Sequence, residues 1–261
     1  MKDKKIAVIG HGNLGSAIAK GIVQTSLVGK GNLLATKRNI EKDTSYPYPV
    51  IPDNTHAIKS SDIVILALKP YNILPFLNLH KDYFNPQQVI ISVATGIEIK
   101  QMKDILGDNF EIYRAMPNTA SKVNQAVTCI ATGENKTHLS YVKQIFNTLG
   151  ETIIIDEPLM EAATILGACG IAYVLRFMRA MTQGGIQIGF DATTAQKIVN
   201  QTVLGAASLL TEQNNHPEEE IDKVTTPKGC TIVGLNEMEH NGFSSSLIKG
   251  IVSSYKAIAK D

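Results

Sequence analysis

One stretch constrains this chain more than any other: Ile6-Ala7-Val8-Ile9 followed at once by Gly10-His11-Gly12-Asn13-Leu14-Gly15. The four apolar residues read as a strand buried on both faces, the next six fit G-x-G-x-x-G, and Gly15 to Val23 has helical spacing. Strand, glycine turn and helix in that order open a βαβ unit, and each glycine has a mechanical use. Gly10 allows the tight turn, Gly12 lets the backbone approach a pyrophosphate, and Gly15 lets the helix pack closely on the strand. The helix N-terminus then offers unpaired N–H groups and a partial positive charge to phosphates. His11, Asn13 and Leu14 complete the loop, and a dinucleotide is the expected ligand. The competing reading is a glycine-rich turn that holds nothing.

Further strands are expected at Asn32–Thr36, Ile63–Leu68, Val89–Val93, Ile112–Ala115, Val127–Ala131 and Thr152–Ile155, with Ile51 to Ser60 returning the chain between the second and third. Pro47, Pro49 and Pro52 argue for a loop before that return. Beyond Pro158 no convincing strand remains. Helical patterns cover Leu159–Gly184, Asp191–Glu212, Gly229–Glu239 and Phe243–Lys260. The expected fold is α/β: a Rossmann domain with a mostly parallel sheet over residues 1–156, then an all-α domain over 157–261.

The end of the second strand tells which dinucleotide to expect. An NAD site usually carries an acidic residue about 20 residues beyond the glycines, where it bonds the ribose 2′-hydroxyl. Here that place holds Thr36-Lys37-Arg38. Hydroxyl and cationic groups suit a 2′-phosphate, and no carboxylate repels it, so NADP(H) is expected over NAD(H). Solvated loop charges are the alternative for Lys37 and Arg38. Two more segments fall at strand ends, where ligands of open α/β sheets collect: Ala67-Leu68-Lys69-Pro70 and Val93-Ala94-Thr95. Lys69 is placed either toward that cleft or on the surface.

Composition narrows the partners. With 44% hydrophobic and 19% charged residues in 261, the chain reads as a globular protein. A net charge of +1 and pI near 7.7 give no field for nucleic acid or an anionic membrane, so small molecules are expected instead. Three cysteines, Cys129, Cys169 and Cys230, lack a C-x-x-C pair, which argues against zinc or another metal and for a reducing cytoplasm. No signal peptide is expected from the short apolar run Ile6–Ile9, and no uninterrupted apolar run reaches the roughly 18 to 20 residues of a membrane span. His56, His80, His138 and His216 lie in polar contexts and are expected on the surface. Cys230 is expected to be a packed, inert thiol.

Taken together, several segments resemble the pyrroline-5-carboxylate reductase family. Ile9 to Leu14 resembles its I-G-x-G-N-M, Asp62 to Pro70 its A-D-V-x-x-L-A-V-K-P, and Met116-Pro117-Asn118-Thr119 reproduces M-P-N-T. Gln201 to Ala207 matches Q-T-V-L-G-A-A, Thr226 to Ile232 resembles S-P-G-G-T-T-I, and Gly242-Phe243 with Leu247-Ile248 resembles the closing G-F-R-x-x-L-I. The resemblance implies an oxidoreductase that reduces a cyclic imine to L-proline with NADPH, in proline biosynthesis. It also implies a helical domain that forms a homodimer, with rings of dimers beyond. The cofactor role would fall on Gly10 to Gly15, Thr36, Asn54, Ala67 to Pro70 and Val93 to Thr95. Substrate binding would fall on Thr226, Pro227, Lys228, Gly229, Cys230 and Thr231.

Imine reduction needs the C=N carbon against the nicotinamide and an electron-poor nitrogen; a protonated iminium is already electrophilic, so alignment can supply much of the rate. A helix beginning near Gly229 would aim N–H groups at the substrate carboxylate, and Thr231 would hydrogen-bond the ring nitrogen as the catalytic residue. Taken without the family, Thr-Pro-x-Gly is an ordinary turn before a helix. The chain also departs from the family. Gly167-Ala168-Cys169-Gly170-Ile171-Ala172 stands where S-G-S-G-P-A is usual, Lys228 replaces the first glycine of the substrate loop, Cys230 its first threonine, and Lys223 a common asparagine. Lys228 would either strengthen anion binding or point to solvent. Two other readings stand beside the leading one: a reductase of another cyclic imino acid or carbonyl compound, and a paralogue that binds NADP without turnover.

Overall fold

The computed structural model describes residues 1–40 and 45–258, so the expected end of the last helix at Lys260 lies outside the described residues. The chain divides into two compact units, Met1–Ala168 and Cys169–Asp261. The change from strands to helices at residue 156 marks where the sheet stops. The change of packing comes later, inside a helical run.

The strands of the first unit are β1 (Ile6–Ile9), β2 (Leu33–Thr36), β3 (Val50–Ile51), β4 (Ile63–Leu66), β5 (Val89–Ser92), β6 (Glu111–Pro117), β7 (Ala126–Thr132) and β8 (Gly150–Ile154). They form one sheet in the order β3-β2-β1-β4-β5-β6-β7-β8. All pairs are parallel except β6 with β7. The helices are α1 (Asn13–Gln24), α2 (Asn54–Lys59), α3 (Pro70–His80), α4 (Ile99–Leu106), α5 (Leu139–Asn147) and α6 (Met160–Ala163).

Strands β1, β4 and β5 are buried at every residue because helices cover both faces of the sheet. On one face Ile6, Val8, Ile63 and Ile65 pack with Ile18 and Ile22 of α1 and with Val142, Ile145 and Phe146 of α5. On the other, Ala7, Ile9, Val64 and Leu66 pack with Ile58, Ile73, Leu77, Ile99 and Met102. Successive residues of a strand serve opposite layers, which is why the strands read as continuous apolar runs rather than as alternating ones. The proline-rich stretch is not loop throughout: Val50 and Ile51 pair with β2 at the sheet edge, and the carbonyl of Pro49 accepts the Ala35 N–H at 2.9 Å. Proline is tolerated there because an edge strand has one unpaired side.

Thr164–Cys169 is a π-helical turn. The second unit holds α7 (Gly170–Gln187), α8 (Ala192–Gln213), α9 (Pro217–Lys223), α10 (Cys230–His240) and α11 (Phe243–Ile258). Asp191 caps α8 by accepting the N–H groups of Thr193 and Thr194, both at 3.0 Å. Helix α7 meets α11 through Tyr173 Oη donating to Ser254 Oγ at 2.7 Å and through the Phe177 and Phe243 rings, 6.0 Å apart. The whole run Glu157–Gln187 is, by length and composition, long and apolar enough to cross a membrane. The expectation concerned uninterrupted apolar runs, and it stands: scattered polar residues break this run without lowering its average enough.

Candidate functional site

Parallel register sets the C-terminal ends of four strands level. Ile9 stands opposite Thr36 and Leu66, and Leu66 opposite Ser92. Gly10, Lys37, Ala67 and Val93 therefore leave the sheet side by side, at β1, where the strand order reverses. Crevices at such a reversal are where open α/β sheets take ligands.

The glycine turn is built for close approach. Gly10 has φ +99°, and a Cβ on it would stand 2.5 Å from the Ala67 carbonyl oxygen; a Cβ on Gly15 would stand 2.0 Å from the Gly10 carbonyl oxygen. Neither position admits a side chain. At Gly12 the same space is open. Gly12 is also the N-cap of α1, with no side-chain cap and no acidic residue in the first turn. Open space beside unpaired N–H groups suits a pyrophosphate. Asn13 is exposed and Leu14 half-buried.

Thr36 closes β2 and is fastened to that turn. Its hydroxyl accepts the Gly10 N–H at 3.2 Å and its carbonyl accepts the His11 N–H at 2.8 Å, which leaves the hydroxyl proton for a ligand. Lys37 is half-buried and Arg38 exposed. Asn54 is the first residue of α2, behind the Asp53 cap. Leu68 lies against Gly10, Lys69 is the exposed N-cap of α3, and Pro70 is that helix's first residue. Val93 and Ala94 are 6% and 4% exposed, so only their backbone is available, while Thr95 is half-buried beside Met116.

His11 differs from the ligand-facing role given to its loop. Its ring is buried and its Nε2 lies 2.7 Å from Tyr48 Oη, with the Tyr46 ring edge-on at 4.6 Å. Burial, then the nearby Lys37 and Lys20 cations, push its pKa down, so the ring is neutral at ordinary pH. Burial drives the Tyr48 phenol up to about 12. Sequence reasoning missed both tyrosines, because a contact spanning 37 residues leaves no periodic signal.

The substrate loop proposed from sequence belongs to the helical unit. Thr226 to Gly229 closes a turn in which the Gly229 N–H donates to the Thr226 carbonyl at 2.9 Å. Proline second and a positive φ third make it a type II turn, and the third residue is Lys228 at φ +61°, where glycine is the usual occupant. Gly229 is the N-cap of α10 without any side-chain cap, so the N–H groups of Cys230 and Thr231 have no partner within the helix. A Cβ at Gly229 would stand 2.5 Å from Thr226 Oγ1. Thr226, Pro227 and Lys228 are exposed and Thr231 half-buried; Cys230 is exposed, contrary to the packed thiol expected of it. Lys223 is committed to Glu220, 2.6 Å away.

Two polar clusters support the sheet, and one histidine expected on the surface, His80, is buried, while His138 stays at the surface, 35% exposed. His138 Nδ1 lies 2.7 Å from Glu111 Oε2, and the same carboxylate accepts the His138 N–H at 2.7 Å and the Tyr113 hydroxyl. His80 stacks on Phe76 and contacts its carbonyl at 2.9 Å. His56 and His216 are exposed, as expected. Arg114, 2% exposed, bonds Glu157 at 3.3 Å and Glu161 at 2.8 Å, fastening α6 and the turn before it to β6. Asn118 of the M-P-N-T segment donates to the Gly167 carbonyl of the π-helical turn at 3.2 Å, so one of the departing residues is held through its backbone.

Comparison with known proteins follows the same two-part division. Residues 157–260 match the family model described as pyrroline-5-carboxylate reductase dimerisation, and residues 5–96 match NADP oxidoreductase coenzyme F420-dependent. Pyrroline-5-carboxylate reductase 1 of Dictyostelium discoideum is 44% identical over 97% of this chain, which spans about half of that protein, 49%. Pyrroline-5-carboxylate reductase 2 of the same organism is 38% identical over 99% of this chain and 93% of its own length. The crystal structure of Plasmodium falciparum pyrroline carboxylate reductase with NADP bound superposes with a TM-score of 0.88 at 26% identity, covering 99% of this chain and 98% of that one. With identity of this order running the length of both chains, and the dimerisation model matching the whole helical region, this chain belongs to the pyrroline-5-carboxylate reductase family.

Proposed function

We propose that this chain reduces the cyclic imine 1-pyrroline-5-carboxylate to L-proline, with NADPH as hydride donor. The observation that carries the proposal is the presence in one family member of two uncapped helix N-termini behind tight turns, Gly12 at α1 and Gly229 at α10. The first suits a dinucleotide pyrophosphate and the second a single carboxylate.

The bound nicotinamide supplies the hydride. The chain's own residues bind and orient. Unpaired N–H groups at the head of α10 hold the substrate carboxylate, with the Lys228 ammonium adding a charge. The Thr231 hydroxyl bonds the ring nitrogen and turns the C=N carbon to one face. Because the iminium is already electrophilic, positioning rather than strong acid catalysis lowers the barrier. Thr36, Lys37 and Arg38 favour the 2′-phosphate, since no carboxylate stands among them.

The helical unit completes the proposal as a homodimer, with rings of dimers as the larger assembly. Leu175, Leu204 and Ile248 are 58%, 59% and 60% exposed. A second copy, rather than lipid, covers this surface: the apolar run Glu157–Gln187 begins where the dimerisation match begins. The proposed compartment is the cytoplasm.

The test is NADPH absorbance with purified protein and either the five-membered imino acid or its six-membered homologue. Faster NADPH loss with the five-membered ring, and L-proline as product, is the expected result. Turnover only with another imine or a carbonyl compound, or cofactor binding with no turnover, sinks it.

A further inference from the structure

We propose that His11 and Tyr48 form a latch that positions the 2′-phosphate-binding limb of the cofactor site, and so sets preference for the phosphorylated dinucleotide. The inference rests on the NADPH reading above and adds two positioning residues to it.

The chain leaves β2 through Lys37 and Arg38 and comes back through Tyr46 and Tyr48 into β3. The outgoing limb is fastened at its root, where the Thr36 carbonyl and hydroxyl receive the N–H groups of His11 and Gly10. The returning limb is tied to the same glycine turn by a side-chain hydrogen bond, His11 Nε2 to Tyr48 Oη at 2.7 Å. Both partners are buried, at 8% and 6% exposure, so the bond is shielded from competing water. The Tyr46 ring, stacked on Tyr48 with centroids 6.2 Å apart and edge-on to His11, fixes the orientation of the pair. Strand pairing resumes just beyond it, where Lys37 N–H donates to the Ile51 carbonyl at 3.0 Å. His11 thus bonds Tyr48 while lying within electrostatic reach of the Lys37 ammonium.

Opening the latch should act unevenly on the two ends of a dinucleotide. The pyrophosphate cradle rests on Gly12 and the head of α1, and although the Tyr48 ring packs in the same core as β1 and α1, Tyr48→Phe keeps that ring and removes only the bond to His11. The position of Lys37 and Arg38 depends on both limbs being held. A cofactor bearing the 2′-phosphate therefore loses affinity, while one lacking it does not.

Titration of the full-length chain with NADPH and with NADH, for the unaltered protein and Tyr48→Phe, decides the matter. Tyr48→Phe removes one oxygen and keeps the ring. NADPH should bind about threefold to tenfold more weakly, as expected for one buried hydrogen bond, and NADH should change by less than about twofold. His11→Phe should give the same ratio, and the double variant no more than either single one, because the two side chains act as one unit. His11→Gln, which keeps a polar group for Tyr48, should restore most of the preference. Equal losses for both cofactors, an unchanged ratio, or additive losses overturn the latch while leaving the NADPH reading in place. Preference for NADH in the unaltered chain overturns both. If His11→Phe does not fold, the Tyr48→Phe ratio alone decides.

Discussion

Lys228 holds a backbone conformation, φ +61°, that costs an L-residue about 1 kcal/mol relative to glycine. Glycine would sit there without strain, so the lysine side chain is kept at some expense to the turn. Its position next to the uncapped head of α10 suits the proposed carboxylate site, where an ammonium would add to the N–H groups once an anion is bound. Lys228→Gly is therefore predicted to raise the melting temperature by about 2 °C, the folded-state gain being partly offset by a freer unfolded chain. It should also raise KM for the imino acid about threefold to tenfold with little change in kcat, the pattern of lost uniform binding. Steady-state kinetics and thermal unfolding read both. An unchanged KM would place the ammonium in solvent. Neighbouring Gly229 has no such latitude, since Thr226 Oγ1 occupies the place of a Cβ.

At the scale of elements, Glu111 shows how a buried carboxylate ties a strand to a helix. Burial pushes its pKa up, but the Tyr113 hydroxyl, the His138 N–H and the His138 ring together pull it below the ordinary value of 4.5. A depressed carboxylate pKa means the folded state holds its proton less tightly than the unfolded chain. The stabilisation is complete above the unfolded pKa and is lost as pH falls through the folded one. Glu111→Gln should therefore be less stable at neutral pH and flatten the loss of stability below about pH 4.5. Chemical unfolding across that range reads it, and parallel curves for both proteins would remove Glu111 from the acid response.

The same cluster shows what the sequence left unreadable. The central strands were legible because burial on both faces makes them unbroken apolar runs, and the glycine turn because its steric demands admit few residues. Strand β3 was hidden by Pro47, Pro49 and Pro52, and α9, Pro217-Glu218-Glu219-Glu220-Ile221-Asp222-Lys223, by having almost no apolar face. The burial of His80, the His138 contact with Glu111, the His11 contact with Tyr48 and the Arg114 bonds to Glu157 and Glu161 all involve residues distant in the chain or buried by their neighbours. Local composition describes such residues only as polar. The strand-end segments were legible because strand ends are local features, and parallel register then set them level without further information.

For the whole molecule, the decisive imbalance is between the two units. The first buries two apolar layers around its sheet. Among the described residues of the second, only Ala195 and Val199 are buried hydrophobic side chains, while Val174, Leu175, Ile198, Leu204, Leu247, Ile248 and Val252 stand exposed. Helices need an apolar stripe covered, and this unit covers little of its own. If a second copy supplies the cover, stability becomes inseparable from association, and the melting temperature should rise with protein concentration. Ile248→Asp, which places an unpaired charge in the covered face, should weaken the dimer by about a hundredfold or more, since such a charge costs about 3 kcal/mol or more when buried. Sedimentation velocity with thermal unfolding over a range of concentrations measures both. A monomer whose melting temperature ignores concentration would show that this face is not closed by another copy, and the long apolar run from Glu157 to Gln187 would then need a different cover.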